Sequence, residues 1–155
     1  MSITGKITQT LEVTETLTDL GISNAEIKYK PTHSVTLTAA TTPPATKFVK
    51  KLVALVDGSA TIDLTALTGW GTNGTDEDMT GLKLQEIFIE ATSTNANAIT
   101  ISTGASNGYP AFGEDWSIAL QASQVFSAYG NNLTPEVSGT DKTIDLAGTG
   151  TQSVE

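Results

Sequence analysis

Alternation of apolar and polar residues is the feature of this sequence that most constrains its fold. From Ile3 to Leu17 the apolar residues fall on odd positions, with Thr, Lys and Glu between them. A period of two places alternate side chains on opposite faces of a β-strand, so one face of this stretch is predicted to be covered. The stretch is therefore predicted to form one half-buried strand or two consecutive strands.

Further runs of the same kind follow, separated by turn-forming residues. The predicted strands cover residues 26–30, 34–40, 48–56, 60–67, 82–91, 97–103, 116–120, 125–129 and 143–146. Pro31 is predicted to end the strand before it, because proline cannot donate a hydrogen bond to a neighbouring strand. Asp57-Gly58 predicts a two-residue hairpin turn, since glycine tolerates the positive φ that this turn requires.

Two of these strands carry a more specific prediction. Residues 52–56 are apolar on both faces, which is typical of a central strand. Within residues 82–91 the apolar positions change from even to odd near Gln85. A change of that kind predicts a β-bulge or a sharp bend at this point.

The number and spacing of the strands predict the fold class. Thr, Ser, Asn and Gly are abundant, whereas stretches of Ala, Leu, Glu and Lys that would form helices are missing. About nine or ten short strands between turns indicate an all-β protein, a jelly-roll-like antiparallel β-sandwich. At 155 residues the chain is predicted to be a single domain over residues 1–155, with residues 1–18 as an N-terminal arm or edge strand.

Charge and cysteine content exclude several kinds of partner and site. Eight basic and seventeen acidic residues give a formal net charge of −9, so neither nucleic acid nor an anionic membrane is an expected partner. The absence of Cys rules out disulfides and thiolate chemistry. No apolar run resembles a signal peptide or a membrane span, which predicts synthesis in a cytoplasm.

Two glycine-containing segments match the spacing of known motifs but lack their structural context. Residues 69–74 fit G-x-G-x-x-G, yet no helix-like stretch follows and the acidic residues 76–78 would repel phosphates. Residues 104–108 fit G-x-S-x-G, again without a following helix, and the single histidine, His33, lies far upstream of Ser106. Both segments are predicted to be loops, and no catalytic or cofactor-binding residue is predicted.

One acidic loop remains a candidate for metal binding. Asp76, Glu77 and Asp78 could supply oxygen ligands to calcium, but their spacing is not that of an EF-hand. A solvated acidic loop is the commoner explanation. His33 without a second His or a Cys cannot form a transition-metal site, so no metal is predicted.

Aromatic residues in the predicted loops suggest a binding surface. Trp116 alternates with Ile118 and Leu120 and is assigned to the core, whereas Trp70, Tyr109 and Phe112 lie in loops. The loop aromatics could stack on a sugar or contact another subunit, and the subunit interface is favoured because no convergent polar residues surround them. The interface candidates are Ile3, Ile7, Leu11, Trp70, Tyr109 and Phe112.

Several strand-and-turn segments from about residue 52 onward resemble those of small structural proteins of tailed bacteriophages. They are VDGSATIDL (56–64), NANAITI (95–101), GASNGY (104–109), WSIALQ (116–121) and KTIDLAGTGTQ (142–152). The likeness lies in strands and turns, so it assigns no functional residue.

This resemblance implies a head decoration or cement protein of the virion. Such a protein would be made in the host cytoplasm and would bind the outer capsid surface, with the major capsid protein or other virion subunits as partners. It would commonly be a homo-oligomer, a trimer. The predicted action is mechanical, because many contacts around a symmetric oligomer add up by avidity, and residues 3–17 are predicted to add to a neighbour's sheet.

Other functions stay open at this point. A neck, tail or fibre component of the same virion would have a similar sequence. A carbohydrate-binding or adhesive β-sandwich module would differ by a flat patch of exposed loop aromatics. An enzyme would need convergent acidic residues or a metal that the sequence does not show, so no enzymatic activity is predicted.

Overall fold

A computed structural model describes residues 4–17, 25–130 and 135–155 of the chain. These residues form antiparallel strand ladders and loops, and their only helical element is a three-residue 3-10 turn at Thr72–Gly74. The all-β prediction is therefore confirmed. The chain divides into two compact units, Met1–Lys47 and Phe48–Glu155, and each is described by itself. The single β-sandwich domain predicted over residues 1–155 stays a prediction.

In the part of the first unit that the structure describes, residues 4–17 and 25–47, four strands pair in two antiparallel ladders. They are β1 (Thr4–Thr10), β2 (Val13–Leu17), β3 (Ala25–Tyr29) and β4 (Thr32–Thr38). Strand β1 pairs with β4, and β2 pairs with β3. The first ladder ends at the pair Thr10 and Thr32, and the second begins at the pair Val13 and Tyr29. Two residues lie between the ladders on each of the two chain segments, so the register is the same in both ladders. We call residues 4–17 and 25–38 together the β-ribbon.

Pro31 explains why the ladder is interrupted in the middle of the β-ribbon. The unchanged register places Pro31 opposite Leu11, and the Leu11 N–H donates to the Pro31 carbonyl at 3.2 Å. Proline has no N–H with which to return that bond. The predicted effect of Pro31 is confirmed, since it ends the strand before it. The predicted turn at residues 19–24 lies outside the described residues.

In residues 48–130 and 135–155 the second unit has eight strands in two antiparallel groups. They are β5 (Val53–Ala54), β6 (Ser59–Asp63), β7 (Glu86–Glu90), β8 (Ile99–Thr103), β9 (Ser117–Leu120), β10 (Val125–Tyr129), β11 (Thr143–Ala147) and β12 (Ser153–Val154). One sheet has the order β6-β11-β8-β9. In the other group β10 pairs with β7, and β12 pairs with β5. Backbone hydrogen bonds of 2.7 and 2.9 Å between Glu90 and Glu155 join these two pairs.

The buried apolar residues among the described part of the second unit form one hydrophobic core, to which both groups of strands contribute. It includes Ile99, Ile101, Leu120, Ile144 and Leu146 from the four-stranded sheet, and Leu55, Ala91 and Val154 next to the other group. Side chains from both groups in one cluster are what a β-sandwich requires. The sandwich agrees with the predicted fold class, whereas the jelly-roll strand order stays a prediction.

The hairpin turn at Asp57-Gly58 is confirmed, but the strands beside it differ from the prediction. Both residues have positive φ, 51° and 80°, and Val56 and Ser59 exchange backbone hydrogen bonds of 2.9 and 3.0 Å. Beyond that pair the two strands beside the turn do not pair with each other, because β5 pairs with β12 and β6 pairs with β11. The central-strand prediction for residues 52–56 is wrong, since Leu52 and Val56 are 55% and 72% exposed. The chain crosses between sheets here, and Leu55 reaches the core.

The change of phase at Gln85 appears in the packing of the side chains, whereas the β-bulge or sharp bend predicted from it stays a prediction. Leu82 and Leu84 pack against the core before it, and Ile87 and Ile89 do so after it. The partner segment also changes, because residue 83 bridges to residue 136 whereas residues 86–90 pair with β10.

Candidate interaction surface

The β-ribbon has two chemically different faces. Directly opposed residues of an antiparallel pair lie on the same face, and residues two apart along a strand share it. Because the register is constant, the odd-numbered residues between 5 and 13 share one face with those between 29 and 37. We call this the odd face. Its apolar members are Ile7, Leu11, Val13, Tyr29, Pro31, Val35 and Leu37.

The even-numbered residues form a polar face stabilised by contacts across the strands. Thr8 Oγ1 lies 3.4 Å from Ser34 Oγ, and Thr10 Oγ1 lies 3.4 Å from Thr32 Oγ1. Beside them Lys30 Nζ donates to Glu12 Oε2 at 2.8 Å. Both side chains of this ion pair are exposed, so the pair contributes well under about 1 kcal/mol to stability. The polar face is suited to contact with water.

Part of the odd face is apolar and exposed. Leu11, Val13 and Tyr29 have 59%, 46% and 65% of their surface exposed. Ile7 and Val35, directly opposed on the same face, are half-buried. Of the predicted interface residues, Leu11 is therefore exposed as expected, Ile7 is partly covered, and Ile3 lies outside the described residues.

Tyr109 is not available to a partner, so its prediction as an interface residue is wrong. The side chain is 0% exposed, and its hydroxyl donates to the Pro135 carbonyl at 2.7 Å. The Tyr109 N–H donates to the Thr143 carbonyl at 2.8 Å, which fixes this loop against β11 and turns the ring into the core. Trp116 Nε1 donates to the Tyr109 carbonyl at 3.0 Å, and the core position predicted for Trp116 is confirmed.

The other two loop aromatics differ in how far they are covered. Trp70 is half-buried against the core. Phe112 is 45% exposed and makes edge-to-face contacts with Trp116 and Phe126, with ring centroids 5.1 and 5.5 Å apart. With Tyr109 buried, these predicted loop aromatics do not assemble into the flat patch expected of a sugar-binding platform.

Sequence reasoning missed several exposed apolar residues in the second unit. They are Phe48, Leu52, Val56, Phe88 and Val125. For Phe88 the sequence held a usable indication, because the change of phase at Gln85 turns odd positions inward and leaves position 88 outward. No similar indication marked Phe48, which precedes the short strand β5.

The carboxylates of the candidate calcium loop are used in separate local contacts. Asp76 Oδ1 accepts the Gly69 N–H at 2.8 Å. Asp78 Oδ1 accepts from the Thr80 N–H and hydroxyl at 2.8 and 2.6 Å. The backbone of Glu77 exchanges hydrogen bonds with Leu67. Within residues 4–17, 25–130 and 135–155, no three His, Asp or Glu side chains form a group that could hold a metal ion.

The two motif-like glycine segments are loops, as predicted. Residues 69–74 end in the short 3-10 turn and lead into extended backbone at Thr75. In residues 104–108 the Gly104 N–H donates to the Thr143 carbonyl at 3.0 Å, and the Thr143 hydroxyl donates to the carbonyl of Ser106. His33 belongs to the β-ribbon, where it is exposed opposite Gln9.

One carboxyl with an altered pKa lies on the two-stranded ladder of β7 and β10. Burial raises the pKa of Glu86, although the Ser127 hydroxyl donates to Glu86 Oε1 at 2.7 Å and acts in the opposite direction. Glu86 was not singled out from the sequence, because its burial depends on β10, which lies far along the chain.

Comparisons with known proteins add no relationship to this geometry. No protein-family model, curated protein or solved structure matches the chain. Among the described residues, no helix has the length and apolar character needed to cross a membrane.

Proposed function

We propose that this chain is a structural protein of a virus particle, a decoration or cement protein that binds the outer surface of a phage head and stabilises it. The observation that carries the proposal is the two-faced β-ribbon, whose exposed apolar side is suited to contact with other protein subunits. The resemblance of the strand and turn segments to phage structural proteins supports the same function.

The distribution of charge supports a position on the outside of the head. Residues 48–155 contain four lysines and thirteen acidic residues and so carry the whole formal net charge of −9. Packaged DNA would repel such a surface. The partners in this proposal are the major capsid protein or other virion subunits.

The proposed action is mechanical. Each copy would contact neighbouring subunits through the β-ribbon and through exposed apolar side chains of the second unit, such as Phe88. A homo-oligomer, a trimer in the implied arrangement, would make several such contacts at once, and linked contacts add up to an avidity far above that of one contact. Such a protein would stabilise the shell because its contacts distribute the internal pressure of the head over neighbouring subunits.

The direct test is co-sedimentation with phage heads assembled without this protein. The chain is expected to pellet with the heads and to raise the temperature at which they release their DNA. A chain that stays in the supernatant at high micromolar concentration would overturn the proposal. Immunogold labelling of intact particles separates a head location from a neck, tail or fibre location, and a glycan array tests the carbohydrate-binding alternative.

A further inference from the structure

We propose that the cleft between β5 and β6 binds a short, extended, uncharged segment of a partner polypeptide, which pairs with the two strand edges that line the cleft. The site goes beyond the proposed virion function and does not depend on it, because a segment of this kind can belong to many proteins. All residues that form the site belong to the second unit.

The cleft opens where the two strands beside the hairpin turn separate. Val56 and Ser59 exchange backbone hydrogen bonds next to the turn. Beyond them a cleft of about 350 Å³ lies between β5 and β6, within the range of about 300 to 1,000 Å³ that is usual for ligand sites. Farther from the turn the Lys50 N–H donates to the Trp70 carbonyl at 3.1 Å and joins the flanking segments again. The cleft is therefore bounded along the strands and has room for a short segment only.

The open edge of β6 presents the backbone of Thr61 to the cleft. The Leu64 N–H donates to the Lys142 carbonyl at 2.9 Å, and the Gly148 N–H donates to the Gly58 carbonyl at 2.8 Å. Even-numbered residues of β6 therefore direct their backbone groups to β11. Successive residues of a strand direct these groups to opposite sides, so the N–H and C=O of Thr61 point away from β11 and into the cleft.

The edge of β5 presents the backbone of Ala54 to the same cleft. The Leu55 N–H donates to the Gln152 carbonyl at 2.8 Å, so the neighbouring Ala54 directs its backbone groups away from β12. A continued hairpin register would pair Ala54 with Thr61, yet no hydrogen bond joins them. In the part of the chain that the structure describes, the backbone groups of these two residues have no partner. Two strand edges thus face one opening with their hydrogen-bonding groups unused.

The inner side of the cleft indicates which side chain fits there. Val53 on one strand and Ile62 on the other both pack against the core, and both are only half-buried. Trp70, which also lines the cleft, is half-buried as well. An apolar side chain between these residues would complete their burial and would be removed from water itself.

The polar side chains around the cleft are already engaged. Lys51 Nζ donates to the Thr68 carbonyl at 2.7 Å, and both carboxylate oxygens of Asp63 accept hydrogen bonds. The Thr61 hydroxyl donates to Asp145 Oδ1 at 2.7 Å. A sugar or a charged ligand would have to break these bonds, whereas a peptide backbone matches the unused N–H and C=O groups. The occupant is therefore an uncharged peptide segment rather than a small polar molecule.

Strand geometry fixes how such a segment would lie. One of its residues would exchange hydrogen bonds with Thr61 and the next with Ala54, because successive residues direct their backbone groups to opposite sides. Its side chains would alternate between the core and the solvent. A segment with apolar residues at every second position satisfies both requirements, as in other cases of strand addition to a sheet edge.

The test is an NMR titration of the ¹⁵N-labelled full chain with the capped pentapeptide acetyl-TVTVT-amide. The amide signals of Ala54 and Thr61 are expected to shift, and their hydrogen exchange is expected to slow. The control peptide has the same sequence with N-methyl groups on its three central residues, which removes the N–H groups needed for pairing. It is expected to bind at least about tenfold more weakly.

Two substitutions of one residue separate strand pairing from other contacts. Thr61→Pro and Thr61→Val both remove the hydroxyl that donates to Asp145. Only Thr61→Pro also removes the N–H that points into the cleft, at an edge position where the sheet itself does not use it. Thr61→Val is expected to bind the pentapeptide like the wild type, and Thr61→Pro at least about tenfold more weakly.

The peptide comparison uses the wild-type chain, so it does not require the proline variant to fold. Unchanged Ala54 and Thr61 signals at about 10 mM peptide, or equal binding of the N-methylated peptide, would overturn the proposal. Shifts confined to other strand edges would overturn it as well. A chain that binds the pentapeptide but does not pellet with phage heads would contradict only the proposed virion function.

Discussion

Asp63 is held at the end of β6 by hydrogen bonds that alter its ionisation. Burial alone would raise the pKa of this carboxyl, but hydrogen bonds from Lys142 and Thr65 outweigh it and lower the pKa below its ordinary 3.8. Lys142 Nζ donates to Oδ2 at 2.8 Å, and the Thr65 hydroxyl donates to Oδ1 at 2.7 Å. A carboxylate whose pKa falls on folding stabilises the fold above its unfolded pKa and loses that effect as pH falls through the folded pKa.

Asp63→Asn is therefore expected to lower the free energy of unfolding at pH 7 by on the order of 1 kcal/mol. The difference from wild type should shrink below about pH 4, as measured by urea denaturation across the pH range. The control is Glu12→Gln, which removes an exposed ion pair and is expected to change stability little at any pH. A difference for Asp63→Asn that stays constant down to pH 2 would contradict this account.

Single residues were predictable where local periodicity decided their burial. Trp116 was assigned to the core because it alternates with Ile118 and Leu120 on the same face. Tyr109 lies in a loop without periodicity, and its burial depends on a hydrogen bond to Thr143, which is distant in sequence. Nothing local distinguishes such a residue from an exposed loop aromatic, so the interface prediction for Tyr109 failed.

At the scale of elements, Pro31 leaves one hydrogen bond missing from the β-ribbon. Pro31→Val would supply an N–H opposite the Leu11 carbonyl, where the unchanged register has a place for it. We expect slower amide hydrogen exchange at Leu11 and Val13, and a gain of about 0.5 to 1 kcal/mol in ribbon stability. Hydrogen exchange followed by NMR checks both.

The matched control is Thr36→Val, which introduces the same residue into β4 without adding a backbone donor. It is expected to leave exchange at Leu11 close to that of wild type. If the two variants protect Leu11 equally, side-chain preference rather than the missing bond governs the centre of the ribbon.

Strand positions were more predictable than strand partners. β10 begins and ends where alternation placed it, and the turn at Asp57-Gly58 has the expected geometry. The partners of β5 and β6 were not predictable, because β12 and β11 lie near the other end of the chain. A two-residue turn indicates that two strands meet, but not that they continue side by side.

At the scale of the whole molecule, the net charge predicts how self-association would depend on salt. Copies of a chain with a formal net charge of −9 repel one another, and this repulsion opposes the homo-oligomer of the proposed function. Salt screens that repulsion, since the Debye length falls from about 30 Å at 0.01 M to about 3 Å at 1 M. Association is therefore expected to strengthen several-fold between low and high salt, as measured by sedimentation equilibrium. Association that weakens in high salt would instead indicate contacts between opposite charges and would contradict this expectation.

Strand β11 lies between β6 and β8 in the four-stranded sheet, yet it follows both in the chain. A ribosome makes the chain from the N-terminus, so the edges of β6 and β8 that pair with β11 have no partner until Thr143–Ala147 has emerged. The β-ribbon, whose two sides are close in sequence, can pair long before then. We expect vectorial folding in which the ribbon forms first and the sandwich closes late. After the ribbon has formed and before the sandwich has closed, the unpaired strand edges can aggregate. A chaperone that covers those edges would have its largest effect in this interval.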